Sequence, residues 1–119
     1  MNITLHDIDR QIWEEELADF VPQTLYDAHT HIYDWRPDST QVHSTAPVDA
    51  SHGVSPLADW AALNAIDDAL FPGRTVHRIA FPSPLQAAPP EETNIFAARQ
   101  VAADPESVVL MQVRPDMTD

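Results

Sequence analysis

The chain of 119 residues contains no cysteine. Disulfides and thiolate metal sites are therefore excluded, and any metal must be held by histidine and carboxylate. Lysine is absent as well. Six arginines face 19 acidic residues, for a formal net charge of −13. A nucleic-acid binder needs a basic footprint, which this composition does not provide, and an anionic membrane surface would repel the chain. The acidic surplus reads as a solvated surface that favours solubility, since no long local run of acids marks a patch for a cationic partner. The start, Met1-Asn2-Ile3-Thr4-Leu5-His6-Asp7, lacks the basic residues and apolar run of a signal peptide. No stretch approaches the roughly 20 apolar residues of a membrane span. Internal repeats and low-complexity tracts are also missing. These absences lead to the expectation of a soluble cytosolic protein of one domain, large enough to bury a core.

What is present alternates regularly. Residues 4–20 read as an amphipathic helix, with Thr4 and Asp7 as a capping box and Ile8, Ile12, Trp13, Leu17 and Phe20 at helical spacing. Glu14, Glu15 and Glu16 belong to its wet face, and Val21-Pro22 ends it. Residues 24–32 read as a strand with Leu25, Asp27, His29 and His31 on one face and Tyr26, Ala28, Thr30 and Ile32 on the other. The apolar character of the second face predicts a strand covered on both sides. Residues 33–55 have loop composition and include His43 and His52, with Tyr33, Asp34, Trp35 and Arg36 placed to line a pocket mouth. Residues 56–70 form the clearest helix, with Ser55 as N-cap, Pro56 in the first turn and Pro72-Gly73 as the stop. A second strand follows over 75–81, where His77 shares a face with Ile79 and Phe81. A proline-rich loop (82–90), a helix (91–103) and a third strand (107–113) complete the chain. Such alternation predicts right-handed βαβ units and a parallel sheet.

The chemistry is concentrated in Asp27-Ala28-His29-Thr30-His31. Residues two apart on a strand share a face at roughly 7 Å between Cα atoms, so two imidazoles so placed can converge on one metal ion. The pair lies near the C-terminal end of the first predicted strand and precedes a long loop, which is where sites form in α/β folds. This Asp-x-His-x-His strand, led by an acidic helix and Phe20-Val21-Pro22, resembles the signature of the amidohydrolase superfamily. The likeness is strongest to the amidohydrolase-related branch, which also holds decarboxylases and hydratases.

The resemblance implies an α/β fold that is the N-terminal βαβαβ portion of a (β/α)8 TIM barrel preceded by a helix. Residues 1–22 would be that helix, and residues 23–119 the first three strands of a single partial domain. It implies His29 and His31 as ligands of a divalent metal, zinc first among the candidates, with metal-activated water attacking a small carbonyl-type substrate. The family draws its remaining ligands and its acid/base residues from later strands, and no residue of this chain matches those positions. A whole barrel takes about 250 residues, so a chain of 119 residues covers about three of eight strands. The isolated chain is expected to be inactive, and its strand edges predict self-association or association with a complementing chain. Two other readings stand beside the hydrolase: a non-catalytic shortened chain serving as a structural partner, and a small acidic α/β binding module in which the histidines are core or pocket residues.

Overall fold

The computed structural model describes residues 5–36, 55–83, 89–115 and 117. Helix α1 (Asp7–Ile12) continues into one π-helical turn over Trp13–Leu17. Strand β1 (Thr24–Asp34), strand β2 (Leu57–Ala58), helix α2 (Trp60–Leu70), strand β3 (Thr75–Pro82), helix α3 (Pro90–Val101) and strand β4 (Val108–Val109) follow. The strands form one mixed sheet in the order β2-β1-β3-β4. Strands β1, β3 and β4 are parallel, as expected, and β2 pairs antiparallel with the end of β1. Two residues are too few to show a period, so β2 falls inside what the sequence presents as the start of a helix.

That helix begins four residues later than expected because its cap is Asp59, whose Oδ1 accepts the Ala62 N–H at 2.8 Å. Ser55 instead shapes the entry to β2: its hydroxyl donates to the Leu57 carbonyl and accepts the Leu57 N–H. At the other end of α2, Gly73 takes a φ of 74°, a left-handed conformation that suits the sharp turn into β3. The first helix is shorter than the spacing suggested. Asp9 accepts the His6 N–H at 2.8 Å, and the predicted cap at Thr4 lies outside the described residues. Its apolar stripe is only partly used. Trp13 meets Phe71 edge-on at 6.0 Å and lies under the Arg74 guanidinium, while Ile8 and Phe20 stay exposed.

The two later helices pack on one face of the sheet. Trp60 and Leu63 of α2 and Phe96, Ala97 and Val101 of α3 meet Ile32, Ala80 and Val109. The Gln100 side-chain carbonyl accepts the Trp60 N–H at 2.9 Å and ties α3 to the first turn of α2. This covered face also holds a charge. Arg78 is 2% exposed; it donates to Asp67 and to Asn64 Oδ1, and its guanidinium lies 4.7 Å from the centre of the Trp60 ring. Burial pushes the Asp67 carboxyl up, against the pull of Arg78. No helix among the described residues packs on the opposite face, which corrects the expectation of a strand covered on both sides. Tyr26, Val108 and Leu110 stand on that face with more than half their surface exposed.

Strand β4 is short for a physical reason. Val108 lies opposite Ile79 and Val109 opposite Ala80, and the Leu110 N–H donates to the Ala80 carbonyl. The next group that β3 would offer to this side belongs to Pro82, which has no N–H. The ladder stops there, and the expected strand over 107–113 is reduced to two residues. Side chains take over at both ends. The Arg78 N–H donates to Ser107 Oγ at 2.8 Å, and the Asn94 amide exchanges two hydrogen bonds with the Gln112 main chain, each 2.8 Å. Ser107 in turn donates to Asp104 at 2.5 Å, which also holds His77 Nδ1 at 2.8 Å. Burial works against the Asp104 charge, but hydrogen bonds from Ser107, His77 and the Glu106 N–H outweigh it and keep the carboxyl below the ordinary range.

Two outcomes are expected in urea denaturation. Arg78→Met should lower stability by about 3 kcal/mol by stranding Asp67 under α2, and adding Asp67→Leu should recover most of that loss. A folded-state value held below the unfolded one gives Asp104 a contribution that is complete above about pH 4 and is lost as pH falls through the folded value. Asp104→Asn should therefore narrow the gap in urea midpoint between pH 7 and pH 3.

Candidate metal centre

The histidine strand is not regular. Asp27 stands opposite Arg78 and Thr30 opposite Ala80, so β1 carries one more residue than β3 between these pairs. A single extra residue forms a β-bulge and reverses the alternation beyond it. Leu25 and Asp27 therefore fall on the side of Val76 and Arg78, the helix-covered side, and not with the histidines as a simple alternation predicts. Thr30, Ile32 and Asp34 continue that side and are buried. Tyr26, opposite His77, and His31, opposite Phe81, lie on the open side.

Asp27 clasps the bulge. Its Oδ1 accepts the His29 N–H at 2.9 Å and its Oδ2 accepts the Thr30 hydroxyl at 2.6 Å. Partial burial opposes its charge, but the Thr30 hydroxyl, the His29 N–H, Arg78 and His29 outweigh it and hold the carboxyl below the usual range. Asp27 thus reaches the histidines through the main chain, as the group that fixes the local turn.

His29 and His31 do come together. Their ring centres are 5.1 Å apart at 73°, and each meets the Phe81 ring edge-on, at 4.8 Å and 4.6 Å. Phe81 is the part of this cluster that sequence reasoning missed, although its place on the His77–Ile79 face of β3 was the available signal. His31 Nδ1 is buried with no hydrogen-bond partner among the described residues. Burial, and then the neighbouring His29, favour the neutral His31 ring, which is the form that ligates metal. An ion bound at about 2.1 Å stands roughly 3.2 Å from each ring centre, and a tetrahedral angle then separates the centres by roughly 5 Å. The observed spacing fits that requirement. The pair places two ring nitrogens that could hold an ion, and no group of three or more histidine, aspartate or glutamate side chains able to hold one occurs among the described residues.

The other candidates do not join it. His77 is engaged by Asp104 and lies 5.2 Å from the Tyr26 ring, on the open face but toward the start of the strands. His43 and His52 lie outside the described residues. At the end of β1 the residues expected at a pocket mouth pair with one another. Tyr33 and Trp35 stack at 3.8 Å, and Arg36 grips Asp34 through Nε and Nη2 at 2.8 Å and 2.6 Å. That grip keeps the Asp34 carboxyl below its ordinary range against the effect of burial.

No protein-family model, curated protein or solved structure matches the chain.

Asp27→Ala should cost about 1–2 kcal/mol by removing both bonds that hold the bulge, and it should shift the ring resonances of His29 and His31 in NMR spectra. Unmoved imidazole resonances would mean that the bulge is held by the rest of the strand.

Proposed function

We propose that the chain is the N-terminal part of a metal-dependent hydrolase of the amidohydrolase type, with His29 and His31 as two of the ligands of a divalent ion. The observation that carries this reading is the histidine pair on the uncovered sheet face, 5.1 Å between rings, with a buried ring nitrogen lacking a partner among the described residues. Parallel strands with helices on one side only are also how a sector of a (β/α)8 barrel is built, its open face becoming the filled interior on closure.

In this reading His29 and His31 bind through neutral imidazoles, and Asp27 sets their approach by fixing the bulge. Phe81 walls the pair and limits the directions the rings can take. Zinc is the first candidate, and such an ion when bound lowers the pKa of a coordinated water to about 7 and supplies hydroxide for attack on a carbonyl carbon. A small-molecule substrate would enter over the end of β1, where Tyr33 and Trp35 stack. The two histidines fall short of the three protein ligands of a catalytic zinc site, so in this reading a third ligand and the catalytic base come from outside the described residues. The same half-site also suits a decarboxylase or hydratase. That no third ligand occurs among the described residues equally suits a second reading, a non-catalytic chain that contributes structure to a partner.

Equilibrium dialysis against micromolar zinc separates these readings. Saturable binding should fall at least about tenfold in either His29→Ala or His31→Ala, accompanied by loss of zinc-induced shifts at the remaining ring. Equal zinc binding by the parent and both variants would overturn the metal reading and leave the structural one.

A further inference from the structure

We infer that two copies of this chain close their open sheet faces on one another and share one divalent ion, held by His29 and His31 of each copy. The inference rests on the metal reading above and names what completes the site. A closed zinc site takes four protein ligands in a tetrahedron. The histidine pair offers two ring nitrogens at the spacing one ion requires, and no group of three or more ligating side chains forms among the described residues. The pair is also turned to the outside. His29 is exposed, and the buried Nδ1 of His31 has no partner among the described residues. A two-fold axis through the ion brings an identical pair to its other side, and four imidazoles then complete the tetrahedron.

The face around the pair selects a second copy as the occupant. Alternation puts Tyr26, His31, Ile79, Phe81, Val108 and Leu110 on the open side. The carboxylates of β1, Asp27 and Asp34, turn to the helix side, as does Arg78. The described strands therefore present no carboxylate and no guanidinium on the open face. Asp104 meets that face only through His77, toward the start of the strands, and is held there by His77 and Ser107. In a chain with a net charge of −13, like copies repel wherever their acids meet; on this face they approach without that cost. A charged partner finds nothing here to pair with. Contact between copies also covers Tyr26, Val108 and Leu110, each more than half exposed. Packed sheets lie about 10 Å apart, so an ion at the midplane stands about 5 Å from each, within reach of a histidine side chain. Any other partner must bring ligands in matching positions, whereas a second copy carries the same pair by symmetry, and an isologous contact closes at two. The contact uses neither edge of the sheet. With four protein ligands the ion keeps no position for water, so the bridged form holds the metal in a closed, structural state.

Zinc titration by isothermal calorimetry tests this, with sedimentation velocity and circular dichroism on the same samples. Zinc should bind at about one ion per two chains and produce a dimer that EDTA reverses. His29→Ala and His31→Ala should each abolish the zinc-induced step while the chain stays folded. Calcium, which takes oxygen ligands, should not produce it; a calcium-induced dimer would assign the association to the acidic surface and overturn the inference. Leu110→Arg leaves both histidines in place and makes the chain less acidic, so a general charge effect would strengthen association. A guanidinium on the shared face should instead weaken the zinc-induced dimer by at least about tenfold. One zinc per chain on a monomer would overturn the inference and leave the metal reading standing, whereas no saturable zinc binding would remove both. A dimer that EDTA leaves intact, or a zinc-induced dimer in His29→Ala, would also overturn it.

Discussion

A guanidinium buried beneath two helices sets the terms for the rest of this fold. Arg78 is 2% exposed on a central strand, where an unpaired charge would be prohibitive. Its partners, Asp67, Asn64 and the Trp60 ring, all come from α2. The helix is thereby fixed in rotation and in position along the strands, since moving it by one turn would remove the carboxylate, the amide and the ring together. The Gln100 bond to the Trp60 N–H then carries that placement to α3. The apolar core that these helices complete is small, and the charged cluster supplies the specificity that a few aliphatic contacts alone would lack.

The consequence on the other side of the sheet is a division of labour. The bulge in β1 sends Asp27 toward Arg78 and the helices and leaves the imidazoles of His29 and His31 against Phe81 on the open side. Structural carboxylate and candidate ligands are adjacent in sequence but lie on opposite faces, and their coupling runs through the main chain by way of the His29 N–H. An aspartate two residues before a candidate ligand is here a device for shaping the backbone.

Much of this was legible beforehand because it rests on local chemistry. The order of strands and helices followed from apolar periodicity, and Val21-Pro22 and Pro72-Gly73 punctuated it. The pairing of His29 with His31 survived the bulge, since both lie at or beyond it. What failed was whatever depended on a residue count across a strand or on a partner far away. The bulge leaves no mark in the order of residues, so Leu25 and Asp27 were assigned to the wrong face. Ser55-Pro56 offered a better local cap than Asp59, and only the pairing of Leu57 and Ala58 with β1 decides between them. The third strand reads as seven residues by composition and pairs over two, because Pro82 on its neighbour cannot donate.

That substitution of a helix side chain for a strand has a further meaning. The Gln112 amide bonds to Asn94 of α3, so its protection from hydrogen exchange reports the seating of a helix, while the Leu110 amide two residues earlier, bonded to Ala80, reports the integrity of the sheet. Two amides only two residues apart are thus held by different elements, and opening of either element is read at its own amide. Loosening of α3 would release the far half of the segment and leave the near half in place. The effective length of this edge is a property of the helix that lies across it.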